Sequence, residues 1–253
     1  MTKVSGLTHF QKRIIRSSEL KKSRIVLSLD PTPRPELKKF VMNSINQLQR
    51  HICAVKLNFH VILPFSQVDL TEINDLAHRY GLESIADIKL NDIVNTNHIT
   101  IHYLIDMGFD AVIVNPFMGK AALKSAVQQM HAKNCGVIAL LYMSHPGAKD
   151  CYGADVFDHR KRKIISMYKL FLTMAVDARA DGIIVGATHA NILKEVPHTK
   201  RIPIFSPGIG TQGGSVDIAI KNGTDFFILG RSIIASSNPV KEAKKFQRLT
   251  SSL

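Results

Sequence analysis

The sequence predicts an α/β protein closed into a single-domain (β/α)8 TIM barrel. Three observations predict it. Short runs rich in Val, Ile and Leu recur eight times between amphipathic stretches, the pattern of parallel strands buried on both faces by crossover helices. No composition break or Gly/Ser-rich linker interrupts the 253 residues, a length that one such barrel routinely fills. The first apolar run ends in Leu29-Asp30-Pro31-Thr32-Pro33, without the glycine fingerprint that an open dinucleotide-binding sheet carries at that turn.

Residues 1–23 read as a helical extension capping the bottom of the barrel, which residues 24–253 form. Leu7, Phe10, Ile14 and Ile15 recur at helical spacing, with Lys12, Arg13 and Arg16 on the opposite face. An Arg-rich amphipathic start also fits a transit peptide, but Glu19 and the short length argue against one. Strands are expected over residues 24–30, 52–57, 83–89, 111–115, 136–142, 182–186, 202–206 and 225–229. Helices are expected over residues 34–48, 97–107, 120–133, 159–180 and 214–221, with Gly108 and Gly223 at helix ends.

Hydrophobic residues make up 45% of the chain and charged residues 21%, ordinary for a globular protein with a full core. No apolar run approaches the ~18 residues that span a bilayer, and no apolar block marks a secretory signal, so a cytoplasmic protein is expected. Cys53, Cys135 and Cys151 are odd in number and far apart, which favours buried free thiols over a disulfide or ligand set. His98 and His102 have the spacing of a metal pair on a helix, but no third ligand accompanies them, and a solvated helix face is the simpler reading. The net charge of +13 favours an anionic partner. Its densest clusters, at residues 21–24, 159–163 and 241–248, fall where helices or their flanks are expected, and no stripe of basic residues interleaved with aromatics is visible. Neither a membrane nor a specific nucleic acid is expected as a partner.

Functional side chains of such barrels collect at the C-terminal ends of the strands. The polar residues there are Asp30 after the first run, Lys56 and Asn58 after the second, and Asp87, Lys89 and Asp92 at the third. Ser144 follows the fifth, Gly208 to Gln212 the seventh, and Gly230 and Arg231 the eighth. Asp87 and Lys89 share a strand face, Asp92 falls just past the strand end, and Lys56 completes an array of alternating sign. The spacing Asp87-x-Lys89-x-x-Asp92 alone fits a catalytic array and a structural ion-pair network equally. Its context favours chemistry. Ser206-Pro207-Gly208-Ile209-Gly210-Thr211-Gln212-Gly213-Gly214 and Gly230-Arg231-Ser232-Ile233 follow strands seven and eight, where backbone N–H groups and an Arg fork bind phosphate in many barrels.

With these residues in place the sequence resembles the orotidine 5'-monophosphate decarboxylases, most closely the short archaeal-type members. The resemblance covers residues 24–236 and rests on Asp87-Ile88-Lys89-Leu90-Asn91-Asp92-Ile93 with Thr96, on Met143-Ser144-His145-Pro146-Gly147, and on the two phosphate loops. It implies a metal-free, cofactor-free lyase of pyrimidine (UMP) biosynthesis that converts orotidine 5'-monophosphate to UMP and CO2. Lys89 is then the acid that protonates C6, Asp87 lies beside the departing carboxylate, Lys56 links ribose to the array and Asp30 contacts ribose. Asp92 and Thr96 reach the neighbouring subunit's site, implying a homodimer with shared active sites. Ser144 reads the pyrimidine edge, Gln212, Gly230 and Arg231 grip the phosphate, and Pro207 lies against the substrate. The segments at residues 145–155 and 208–214 are candidate lids. Two departures stand out: Val94 occupies a position where many members have proline, and the strand-seven loop lacks the extended arginine-bearing form.

The nearest rival is a metal-dependent phosphosugar decarboxylase or aldolase on the same barrel, with the same Asp-x-Lys-x-x-Asp spacing. Those enzymes carry an acid after strand two, where this chain has Lys56, which would repel a cation. A rival of another class is a basic protein that binds polyanions, for which the +13 charge is the only support.

Overall fold

The computed structural model describes residues 6–159, 161–196, 202–210 and 213–251. The strands are β1 (Ile25–Leu29), β2 (Ala54–Asn58), β3 (Glu83–Leu90), β4 (Ala111–Val114), β5 (Gly136–Tyr142), β6 (Asp155–Asp158), β7 (Lys163–Ser166), β8 (Gly182–Val185), β9 (Ile204–Ser206) and β10 (Phe226–Leu229). The helices are α1 (His9–Lys21), α2 (Leu37–Leu48), α3 (Phe59–Ile62), α4 (Gln67–Arg79), α5 (Val94–Asp106), α6 (Lys120–Ala132), α7 (Ala148–Cys151), α8 (Met167–Ala178), α9 (Ala190–Glu195), α10 (Val216–Lys221), α11 (Arg231–Ile234) and α12 (Pro239–Thr250).

Eight strands close in the order β1-β2-β3-β4-β5-β8-β9-β10, and β10 pairs in parallel with β1. Every residue of β1, β4, β5, β8, β9 and β10 is buried, because side chains on one face fill the barrel and those on the other meet the helices. This is the expected barrel, with strand ends within two residues of expectation. Local chemistry starts the helices: capping boxes at Thr8/Gln11 and Ser66/Asp69 open α1 and α4, and Asn238 with Pro239 opens α12.

The continuous helix expected over residues 159–180 is not formed. Residues 155–158 and 163–166 instead pair antiparallel as the β6–β7 hairpin, with Phe157 opposite Ile164 and Val156 opposite Ile165, and α8 starts only at Met167. The Asp158 carboxylate accepts the Lys161 backbone N–H at 3.2 Å and tightens the turn. The basic cluster of residues 159–163, of which Arg160 is outside the described residues, therefore sits on a hairpin turn rather than a helix. The three cysteines are free, but only Cys53 is buried; Cys135 is half-buried and Cys151 exposed, against the expectation of buried thiols.

Helix α1 lies at the bottom of the barrel, with Phe10 and Ile14 fully buried. Arg13, expected on its solvent face, turns inward instead. Its guanidinium binds Glu83 at 3.0 Å, Asp110 at 2.8 Å and the Asn134 carbonyl at 2.8 Å, so the first residue of β3 and the residue before β4 are tied to the helix. His78 on α4 reaches the other Asp110 oxygen at 2.8 Å. Burial, reinforced by the Asp110 carboxylate, raises the Glu83 carboxyl to about 7 although Arg13 and His78 oppose the shift. A second acid, Asp181, accepts the Val137 N–H at 2.7 Å, faces His131 at 2.9 Å and takes the Thr8 hydroxyl.

Glu83 binds its proton more tightly in the folded chain than in the unfolded one. Its contribution is present in full below the ordinary glutamate range and is lost as pH rises through about 7. Arg13→Met is expected to cost about 2 kcal/mol at pH 8, where it strands buried like charges, and clearly less at pH 5, where Glu83 takes up a proton. Urea unfolding at the two pH values checks the difference.

Candidate active site

At the C-terminal ends of the barrel strands lies a cavity of about 230 Å³. Strand alternation aims Ser28 and Asp30 into it from β1 and its end, and Lys56 and Asn58 from β2. Asp87 and Lys89 come from β3, Met143, Ser144 and His145 from beyond β5, Pro207 to Ile209 from beyond β9, and Gly230 with Arg231 from beyond β10. Among the residues singled out in the sequence, Asp30, Lys56, Asp87, Lys89, Ser144, Pro207, Gly230 and Arg231 thus share one cavity. Gln212 and Thr211 lie outside the described residues.

Asp87 is the centre of the floor. Its Oδ2 accepts the Lys56 ammonium at 2.6 Å and its Oδ1 the Lys89 ammonium at 2.9 Å. Burial favours the neutral carboxyl, but the two ammonium groups outweigh it and hold Asp87 below the ordinary carboxylate range. Lys56 and Asp87 are almost wholly buried, whereas 40% of the Lys89 side chain is exposed and faces the open cavity. Lys56 also donates to the Asn58 Oδ1, which lies 3.4 Å from the Ser28 hydroxyl.

Lys89 does not sit in regular strand. The β3–β4 register shifts between Ala86 and Leu90, and Lys89 adopts a left-handed backbone, φ 48°. That conformation costs a non-glycine residue about 1 kcal/mol. The bulge re-aims the lysine while its ammonium stays on Asp87.

Asp92 departs from the residue-level expectation of two acids around Lys89 within one chain. It is exposed, outside the cavity, and accepts the N–H of Ile93 at 2.7 Å. Thr96 is also exposed, in the first turn of α5, which begins at Val94. The metal-pair reading of His98 and His102 fails in geometry: His98 turns to the Ser125 hydroxyl at 2.8 Å and His102 to Asp106 at 3.4 Å. Among the described residues no three His, Cys, Asp or Glu side chains are grouped to hold a metal ion.

Asp30 is the least satisfied group of the site. Its Oδ1 is buried without a hydrogen-bond partner among the described residues. Burial raises its pKa, against the pull of Lys56, Arg231 and His60. A Cβ at Gly230 would lie 2.5 Å from this oxygen and 3.1 Å from the Ser28 carbonyl, so a side chain at this position would push the Asp30 carboxylate aside. Ser232 Oγ, beside Arg231, is likewise buried without a partner. Sequence reading missed Ser28 and the apolar lining of Leu140, Ile184 and Ile228. The period-two step back from Asp30 pointed to Ser28; nothing separated the apolar residues from ordinary core.

The model of the orotidine 5'-phosphate decarboxylase / HUMPS family matches residues 23–246. The chain belongs to this family. Among curated members it is 34% identical to the orotidine 5'-phosphate decarboxylase of Methanosarcina mazei, over 87% of this chain and 90% of that one. It is 30% identical to that of Methanococcoides burtonii, over 89% and 96%. The Methanocaldococcus jannaschii orotidine 5'-monophosphate decarboxylase, crystallised with the inhibitor BMP, superimposes with a TM-score of 0.76 at 27% identity, covering 90% of this chain and 98% of that one. The family's archaeal members thus match the short form to which the motifs pointed.

Gly230→Ala is expected to displace Asp30 and raise KM more than about tenfold while the far-UV circular dichroism stays native. Steady-state kinetics with the substrate proposed below checks it.

Proposed function

We propose that the protein decarboxylates orotidine 5'-monophosphate to UMP and CO2 without metal or cofactor. The observation that carries this reading is the Asp87 carboxylate shared by two ammonium groups at one end of a cavity whose other end is the Gly208 and Gly230-Arg231 backbone. The C6–carboxylate bond breaks, CO2 leaves, and the electron pair stays on C6 in an sp2 orbital that the ring cannot delocalise. Lys89 stabilises that charge and delivers a proton to C6; its amine regains one from solvent. Asp87 keeps the Lys89 ammonium in place and lies beside the departing carboxylate. Lys56 joins the array to ribose, Asp30 takes the ribose hydroxyls on its free oxygen, and Ser144 reads the pyrimidine. Pro207, Gln212, Gly230 and Arg231 hold the phosphate end.

Such a reaction needs about 20 kcal/mol of transition-state stabilisation, more than one lysine supplies. Binding energy from the remote phosphate, used to order the loops at residues 145–155 and 208–214, is the further source. A metal-dependent phosphosugar reaction is disfavoured by the Lys56 ammonium, which occupies the side of Asp87 where a cation would have to sit.

We further propose a homodimer with shared sites, working in the cytoplasm where its phosphorylated substrate is retained. Exposed apolar side chains support it: Phe59 and Leu63 in and just after α3, which follows β2, and Ile93, Val94, Ile99 and Tyr103 at the start of and along α5, which follows Asp92. Asp92 and Thr96 would complete the partner's site across that surface. The segment before β1 is proposed to close the other end of the barrel.

Lys89→Ala is expected to abolish the absorbance loss that reports orotidine 5'-monophosphate consumption, with nucleotide binding retained, and Arg231→Ala to raise KM. Chelator should leave the wild-type rate unchanged; loss of activity would return the metal-dependent reading. Mixing inactive Lys89→Ala and Asp92→Ala subunits is expected to restore about a quarter of wild-type activity, since half the dimers are mixed and each carries one intact site. No recovery on mixing, with subunit exchange verified, would sink the shared-site dimer.

A further inference from the structure

The loop after β8, residues 186–189, puts no side chain into the cavity, yet it touches two of the loops that do. The β5–β8 ladder shifts register between Leu140 and Tyr142 and ends with Tyr142 opposite Val185, just before Ser144. Past that point the ladder no longer fixes the Ser144 segment, and residues 186–189 take over. The Gly186 N–H donates to the Tyr142 carbonyl at 3.0 Å, and a Cβ at 186 would fall 2.6 Å from the Ser144 Cα, so the two backbones are in contact. The Thr188 hydroxyl donates to the Ser144 carbonyl at 3.0 Å. The His189 imidazole packs on the Tyr142 ring, with centroids 4.6 Å apart, and its Nε2 is buried without a hydrogen-bond partner among the described residues. On the other side the Ala187 N–H donates to the Pro207 carbonyl at 2.8 Å.

We propose that residues 186–189 form a strut that fixes Ser144 relative to Pro207, with Thr188 and His189 as positioning residues for recognition of the pyrimidine. The proposal rests on the reading of Ser144 as the base contact. The chemistry of the strut explains its composition. Residue 186 must be glycine for the backbones to meet. A hydroxyl at 188 satisfies a carbonyl that the ladder has left, and an imidazole at 189 supplies a ring face for Tyr142. A shift of the strut therefore moves the base-reading and phosphate-side loops relative to each other, an error to which a ligand spanning both is sensitive and one lacking the base is not.

The test compares two competitive inhibitors, UMP and ribose 5-phosphate, on the full-length enzyme. Thr188→Val, and His189→Ala, which removes the ring packed on Tyr142, are each expected to raise the UMP inhibition constant about fivefold while ribose 5-phosphate changes by less than about twofold. Thr188→Ser should restore the wild-type ratio, and Ser144→Ala/Thr188→Val should bind UMP no more weakly than Ser144→Ala alone, because both act through one contact. Equal shifts for the two inhibitors, no shift, or additive effects in the double variant overturn the strut. If Ser144→Ala itself leaves the ratio of the two constants unchanged, the reading of Ser144 is what fails, and the strut proposal falls with it. Gly186→Ala, which drives a Cβ onto the Ser144 backbone, is the harsher perturbation; the variants at 188 and 189, checked by thermal unfolding, carry the result without it.

Discussion

The site is organised by one buried carboxylate that cannot stand alone. Taking Asp87 out of water carries a penalty of several kcal/mol, offset only because each of its oxygens meets an ammonium. The two lysines are not equivalent. Lys56 is enclosed with Asp87 and serves as its permanent counter-ion, whereas Lys89 is partly open to the cavity and can be shared with a ligand. In the proposed reaction Lys89 gives up its proton, and Lys56 then remains at 2.6 Å as the counter-ion of Asp87.

That arrangement depends on β3 holding its position, and both ends of the strand carry charge for different reasons. At the bottom, Glu83 is locked against Asp110 by Arg13 and His78, a network whose like charges make it sensitive to pH. At the top, the bulge turns Lys89 out of strand register at a cost of about 1 kcal/mol in backbone strain. The strain persists because the rest of the strand is over-determined: its lower five residues, Glu83 to Asp87, are buried and paired with β2. A site that must hold two cations around one anion gains from standing on rigid strand ends rather than on loops.

The barrel was legible because its signal is collective. Eight apolar runs, each buried on both faces, tolerate errors of a residue or two at their ends without changing the architecture. The helix expected over residues 159–180 failed because Ile164 and Ile165 continue the apolar period of α8 backwards; the cross-strand partners that claim them, Phe157 and Val156, lie beyond a turn that the period does not register. Arg13 was placed on the solvent face because helical spacing reports distance from the core and is silent about acids waiting at strand ends. In the site, residues that end apolar runs were found because a charge there has few structural reasons to exist. Ser28 was missed because a serine beside a strand end is common, and the Lys89 bulge because a single dihedral leaves no trace in composition. Asp92 illustrates a different limit: spacing places it next to the array in sequence, while its surroundings in one chain leave it on the surface among exposed apolar residues.

The Asp30 Oδ1, unpartnered among the described residues, shows how binding and chemistry are divided in the proposed site. The Lys56–Asp87–Lys89 array is internally satisfied, so its geometry is set before any ligand arrives. Asp30 is different: burial disfavours its charge, Gly230 confines it, and nothing among the described residues satisfies Oδ1. A buried acceptor in that state carries a penalty of about 1–3 kcal/mol that a ligand hydroxyl relieves on binding. On the proposed reading the unsatisfied Asp30 oxygen favours association, and the satisfied array contributes little until charge develops on the substrate. This is the distribution a decarboxylase requires, because an array that bound the ground state equally well would lower KM without lowering the barrier.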